Sequence, residues 1–334
     1  RKIEIIELEH PHCKDNEILV KIFFSGVCGS DLSTYRGLHP YKKPPIILGH
    51  EASGIVDKVG KLVNKFEVGD RVCIQSFVAC GKCRYCADEM DNLCQNKKIL
   101  NYKGFNGSFA EYLVAEEGLF FKIPDNMTYE EGALVEPLSI ALHAIRNVGE
   151  VKNKDIAILG TGTNGLSCLI CSKNMGVNSV LCTDIYNSKG TRAKDYGCDH
   201  FINVRDEDLR DKALEYVPKG FDIVFISTSY PEVFNDAISI AKKGSIIIVV
   251  AYLEPDTNIE YSEIVRNELT VKGSALSNPN DIELIIDWIN KKEIQPLPMI
   301  TNQYDLSECH KAMELFDNNN QDVGKIIINC NPNK

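Results

Sequence analysis

The sequence predicts an α/β protein of two domains: a barrel-like β domain, then a parallel sheet flanked by helices. Three observations predict it. Over roughly the first 120 residues, apolar and polar positions alternate in short stretches broken by Gly and Pro, the rhythm of strands with one buried face. Near residue 137 the pattern changes to apolar positions at helical spacing. Beyond it, apolar runs of strand length alternate with helical stretches of roughly 10–15 residues, which implies βαβ units and a parallel sheet. At 334 residues the chain is long for one domain and comfortable for two.

The elements follow in order. Ile18–Phe24 and Gly54–Gly60 read as strands of the first domain, and Pro137–Asn147 as a helix. Ile156–Gly160 is the next strand, Asn164–Gly176 a helix, Ser179–Asp184 a strand and Ser188–Gly197 a helix. Strands at Asp222–Ile226 and Ser245–Val250 continue the alternation. Two helices, Asp281–Lys291 and Ser307–Asp317, and a strand, Lys325–Asn329, close the chain.

Composition narrows the function classes. Apolar residues make up 44% and charged residues 25%, the balance of a globular protein. No apolar run approaches the roughly 18 residues that a membrane span needs. A net charge of −10 argues against nucleic acid as a partner, because phosphate binding draws on an excess of Lys and Arg. The thirteen cysteines are an odd number, ill suited to a closed disulfide set in a chain large enough to do without one. Cys168, Cys171 and Cys182 stand in apolar surroundings and read as core residues. A reducing cytoplasm is the expected setting. The opening Arg1-Lys2-Ile3-Glu4 shows no signal-peptide pattern and lacks Met, so residues are expected to precede it.

Gly160-Thr161-Gly162-Thr163-Asn164-Gly165 places G-x-G-x-x-G after an apolar strand and at the start of a helix. The first Gly makes the tight turn, the second admits a pyrophosphate, and the third lets helix pack closely on strand. Phosphates sit on the free N–H groups of such a helix terminus, here around Thr163 and Asn164. Asp184 ends the next strand, 19 residues after Gly165. A carboxylate there accepts hydrogen bonds from a ribose and repels a 2′-phosphate, which favours NAD over NADP.

Two cysteine and histidine patterns have metal-binding chemistry. Cys80, Cys83, Cys86 and Cys94 bring four thiols into one turn-rich lobe, residues 78–97. Four thiolates complete a tetrahedron around Zn²⁺ and leave no open position, so that site is structural. Gly81, Lys82 and Arg84 suit a tight, electropositive loop that favours thiolate. A dispersed set comprises Cys28, His50 with Glu51, and Glu136. Mixed S, N and O donors with one position open are the catalytic arrangement of zinc, although spacing alone does not bring these residues together.

The whole chain resembles the zinc-containing medium-chain dehydrogenases/reductases, in the branch of sorbitol, sugar-alcohol-phosphate, sugar-acid and butanediol dehydrogenases. The resemblance rests on Gly26-Val27-Cys28-Gly29-Ser30-Asp31, Gly49-His50-Glu51-Ala52-Ser53-Gly54, Gly69-Asp70-Arg71, the four-Cys lobe, Glu136-Pro137-Leu138-Ser139 and the nucleotide turn, in the family's order. It implies a GroES-like β-barrel catalytic domain at residues 1–146, a Rossmann doubly wound parallel sheet at 147–277 and a return to the catalytic domain at 278–334. It also implies a zinc held by Cys28, His50 and either Glu51 or Glu136, and a proton path through the hydroxyl of Ser30. Dimers or tetramers are the family's usual assemblies.

The chain departs from its relatives in two places. Many carry His five residues after the zinc Cys, where this chain has Ser33; His39 is then the first candidate for another relay group. The Arg-Tyr pair with which sorbitol dehydrogenases grip polyols is absent from Gly273-Ser274-Ala275-Leu276-Ser277, which argues against sorbitol. Arg36, Lys42 and Lys43 are candidates to hold a sugar phosphate, against a plainer reading of the lysines as a solvated charge run.

The function expected is a zinc-dependent, NAD-linked oxidoreductase acting on a secondary alcohol of a polyol, sugar alcohol, sugar acid or diol. Its rivals are a carbonyl reductase of the same family working mainly in reverse, and a zinc-ribbon interaction protein without activity.

Overall fold

The computed structural model describes residues 2–253, 257–318 and 323–332. It divides into two compact units, Arg1–Glu136 with Asn278–Lys334, and Pro137–Ser277.

In the first unit, seven strands among the described residues form one sheet. Its order is Ile300–Asp305, Lys325–Asn329, Glu17–Gly26, Glu51–Val59, Arg71–Ile74 and Phe120–Lys122, with Tyr112–Glu116 also pairing on Glu17–Gly26. The C-terminal strand Lys325–Asn329 lies antiparallel to Glu17–Gly26, opposite Phe24, Ser25 and Gly26. The chain's end is thereby built into the sheet that carries its beginning. Alternation explains the core here: Ile18, Val20 and Ile22 are sealed from solvent and pack with Val56, Val72, Ile326 and Ile328. A two-stranded ladder, Phe77–Val78 with Lys98–Ile99, closes the neck of the cysteine lobe.

The second unit is an open parallel sheet, ordered His200–Asn203, Ser179–Asp184, Asp155–Leu159, Phe221–Ile226, Ala241–Val249 and Thr270–Gly273. In chain order this is 3-2-1-4-5-6, the doubly wound arrangement. The direction of winding reverses between Asp155–Leu159 and Phe221–Ile226, where the carboxyl ends of strands leave a crevice for ligand. Central strands covered on both faces read as continuous apolar runs. Ile156–Leu159 and Ile223–Ile226 are accordingly buried at every position.

One helix differs from its expected extent. It runs from Tyr129 to Arg146 and holds Pro137 in its interior. Proline favours the first helical turn, which is why the sequence suggests a start there; in fact Glu131 accepts from the Thr128 N–H and the Thr128 hydroxyl from the Glu131 N–H, capping the helix earlier. The second compact unit opens at Pro137, inside this helix. No helix among the described residues is long and apolar enough to cross a membrane.

Candidate active site and metal centres

The nucleotide turn is built from backbone constraints. Gly160 follows the strand with φ +90°, a conformation that costs Gly little. A Cβ at Gly165 would collide with the Gly160 carbonyl and the Ser227 hydroxyl, so only Gly lets helix Thr163–Asn174 pack this close. At Gly162, by contrast, a Cβ would meet nothing within 4 Å. This is the open space a pyrophosphate needs beside the helix N-terminus, and the turn fits a dinucleotide. Asp184 stands at the turn: its Oδ2 accepts from the Thr161 N–H at 3.0 Å and its Oδ1 from the Ile185 N–H at 2.8 Å. The carboxylate is held rigidly with acceptor capacity to spare.

The four cysteines of the lobe converge. Cys83 Sγ lies 3.5 Å from Cys86 Sγ and 3.8 Å from Cys94 Sγ, and Cys80 Sγ 4.0 Å from Cys86 Sγ. All four sulfurs fall within 4.8 Å of one another. A tetrahedron of Zn–S bonds sets sulfurs about 3.8 Å apart, so the cage fits zinc. Backbone N–H groups of Cys86 and Gln95 bring the Cys83 thiol down to about 6, and that of Lys82 lowers Cys80. The Cys80 N–H also donates to Cys94 Sγ at 3.3 Å. Such donors favour thiolate, the form that binds metal.

The second set converges too, in part. Ligand atoms of Cys28, His50 and Glu51 lie within 4.8 Å of one another. Cys28 caps the short helix Gly29–Tyr35, while His50 and Glu51 lead into strand Glu51–Val59. Asp31, fully buried, ties the two segments together: Oδ2 accepts from the Cys28 N–H at 3.0 Å and Oδ1 from the Gly49 N–H at 3.1 Å. His50 Nδ1 is buried and makes no hydrogen bond, with Asp31 Oδ1 3.6 Å away. Burial works against a charged imidazole, but Asp31 and Cys28 outweigh it and hold the His50 pKa well above the usual range. A pocket that so favours positive charge, with S, N and O donors together, fits a metal dication.

Glu136 is not within that group of three, although it is buried nearby. Burial is the chief cause that pushes its carboxyl up to about 7, opposed by His50 and aided by Glu51. Ser30 sits half-buried on helix Gly29–Tyr35, where its carbonyl accepts from the Thr34 hydroxyl.

The basic residues suggested for phosphate are engaged within the fold. Arg36 Nε donates to Asp317 Oδ1 at 2.5 Å, and Lys43 Nζ to the His39 carbonyl at 2.8 Å. Lys42 is no solvated charge: it is 5% exposed and donates to Asn101 Oδ1 at 3.2 Å. Burial, then the charges of Lys42 and Lys43, lower His39 to about 4. A neutral imidazole of that kind is a poor proton acceptor near pH 7, which weakens the case for His39 as a relay base.

Comparison with known proteins agrees with this geometry. Residues 14–125 match the alcohol dehydrogenase GroES-like domain and residues 165–291 the zinc-binding dehydrogenase domain. The chain is 32% identical to a sorbitol dehydrogenase of Bacillus subtilis, over 94% of its own length and 90% of the relative's. It is 32% identical to a D-arabitol-phosphate dehydrogenase of Enterococcus avium, over 99% and 95%. The chain belongs to the zinc-containing medium-chain dehydrogenase/reductase family. Among solved structures, an alcohol dehydrogenase from Escherichia coli CFT073 complexed with NADH matches this family member with a TM-score of 0.91, at 27% identity, over 98% of this chain and 96% of that one.

Beside this candidate site, Lys325 and Asn101 escape sequence reasoning. Lys325 is sealed in the core and pairs with Glu51. Its one sequence signal is a lysine heading an apolar strand, Lys325–Asn329, where burial on both sides leaves it no route to water. Asn101 and Lys42 lie 59 residues apart and no local pattern joins them.

Proposed function

We propose that the protein is a zinc-dependent, NAD-linked dehydrogenase acting on a secondary alcohol of a polyol, sugar alcohol, sugar acid or diol. The observation that carries this reading is the convergence of Cys28, His50 and Glu51, three protein donors of the mixed type found at catalytic zinc. Those three would hold the catalytic ion, with Glu136 as the second buried carboxyl of the site. Cys80, Cys83, Cys86 and Cys94 would hold a structural ion. Gly160, Gly162, Thr163, Asn164, Gly165 and Asp184 would hold NAD, as the related structure in complex with NADH supports.

When bound, zinc supplies Lewis-acid polarisation of the alcohol oxygen and nicotinamide accepts the hydride. The chain's residues do the rest. Asp31 fixes the two ligand-bearing segments in register. Lys325 balances the charge of Glu51, and the Ser30 hydroxyl takes the alcohol proton at Oγ and passes it toward water. The relatives include dehydrogenases of a sugar alcohol and of a sugar-alcohol phosphate, which supports the polyol class. A zinc-ribbon interaction protein has no support left once the family is established.

The test is NAD reduction measured against sugar alcohols, their phosphates, sugar acids, diols and simple alcohols. At about 5 Å and an effective dielectric near 20, each unit of 2′-phosphate charge facing Asp184 costs roughly 3 kcal/mol. NAD should therefore exceed NADP in kcat/KM by about a hundredfold or more on the best substrate. Absence of turnover across the panel, or equal use of the two cofactors, contradicts the reading.

A further inference from the structure

Lys42 is buried, and among the described residues it makes no direct ion pair: Asp31 feels its charge, but its hydrogen bond runs to a neutral amide, Asn101 Oδ1. A charge taken out of water at a cost of several kcal/mol needs a reason. Asn101 supplies one. It is 1% exposed, stands at φ +61°, and its Nδ2 donates to the carbonyls of Ile47 at 2.6 Å and Gly49 at 3.1 Å. Gly107 leaves it room: a Cβ there would overlap Asn101 Nδ2 and the Leu48 and Gly49 carbonyls. Gly49, at φ +88°, immediately precedes His50 and gives its own N–H to Asp31.

Gly49, the residue before His50, is therefore held at both of its backbone groups, its N–H by Asp31 and its C=O by Asn101. An amide side chain can present either end to a neighbour. With the ammonium facing Oδ1, the amide has one satisfied orientation, with Nδ2 toward the two carbonyls, and the cation polarises it into a stronger donor. We propose that Lys42 and Asn101 are positioning residues, a bridge that fixes the loop 47–50 and thereby the His50 imidazole toward the metal. This rests on the reading of Cys28, His50 and Glu51 as a zinc site.

The test uses the zinc-loaded full chain, dialysed against graded concentrations of a pyridine-dicarboxylate chelator, with zinc retained per chain as the readout. Lys42→Met keeps the stem and removes the donor; Asn101→Asp tolerates the same backbone and turns an acceptor toward the two carbonyls. Each should weaken the more labile zinc by about 10–100-fold, the usual cost of losing a partner behind a metal ligand. The tighter zinc of the four-Cys lobe should stay as in the wild type, which also reports that the chain is folded. Because the two residues act through one bridge, the double variant should lose no more than the worse single variant. Wild-type retention in both single variants, or losses that multiply in the double variant, overturns the bridge. A wild-type chain that holds no labile zinc overturns the zinc site itself, and the two failures are thus told apart.

Discussion

Lys325 and Glu51 form an ion pair with side chains only 1% and 2% exposed, linking the C-terminal strand to the residue beside His50. Lys325 also donates to the Val27 carbonyl at 3.1 Å. Gly26 makes the pair possible, because a Cβ there would collide with the Glu51 carboxylate and the Lys325 stem. Removing one partner of a buried pair strands the other charge, at a cost of about 3–5 kcal/mol. Lys325→Met should lower unfolding stability by that order, and adding Glu51→Gln should recover part of it. Denaturant midpoints measure both; a loss below about 1 kcal/mol in Lys325→Met would mean that the pair contributes little.

The second and third glycines of the nucleotide turn should separate binding from folding. Gly162 has φ −72° and open space beside it, so Gly162→Ala should leave the cofactor-free protein as stable as before, or more stable by up to about 1 kcal/mol. Its methyl group occupies the space of the pyrophosphate, and NADH affinity should fall by roughly tenfold or more. Gly165→Ala should instead cost about 1–3 kcal/mol of stability through its clash with the Gly160 carbonyl and Ser227. The opposite assignment of the two effects, seen by calorimetry and NADH titration, would mean that the turn is drawn in the wrong register.

His39 gives the site region an acid-sensitive group. Its pKa falls from 6.5 to about 4, mainly through burial and then through Lys42 and Lys43. The unfolded chain binds the proton more readily, so the stabilisation is fully present above pH 6.5 and is lost as pH falls toward 4. The loss is up to about 3 kcal/mol. His39→Gln, which keeps an acceptor for the Lys42 N–H, should show a shallower decline over that window. Parallel declines in urea midpoint from pH 7 to 4 would assign the acid sensitivity elsewhere.

What could be read from the sequence depended on how far apart the cooperating residues stand. Gly160, Gly162 and Gly165 act within one turn, and Cys80 to Cys94 within one lobe, so their spacing carries their geometry. Cys28, His50 and Glu51 were visible as motifs, but their convergence depends on Asp31 bridging a helix cap and a distant loop. Lys325 comes to Glu51 only because the last strand pairs with Glu17–Gly26. Lys42 reads as a surface charge because charge runs usually are, and only the fold shows Asn101 beside it. Pro137 points to a helix start where the chain tolerates a missing N–H in mid-helix.

The proposed division of labour between two zinc sites is decided by one paired measurement. Zinc content, NADH binding and alcohol turnover are measured on Cys28→Ala and Cys83→Ala. Cys28→Ala should fold, keep the four-Cys zinc, bind NADH and lose turnover, because it removes a donor from the open site alone. Cys83→Ala should lose the structural ion together with solubility or melting temperature, since a structural zinc contributes folding energy. Two variants that lose the same zinc, the same stability and the same turnover would contradict that division.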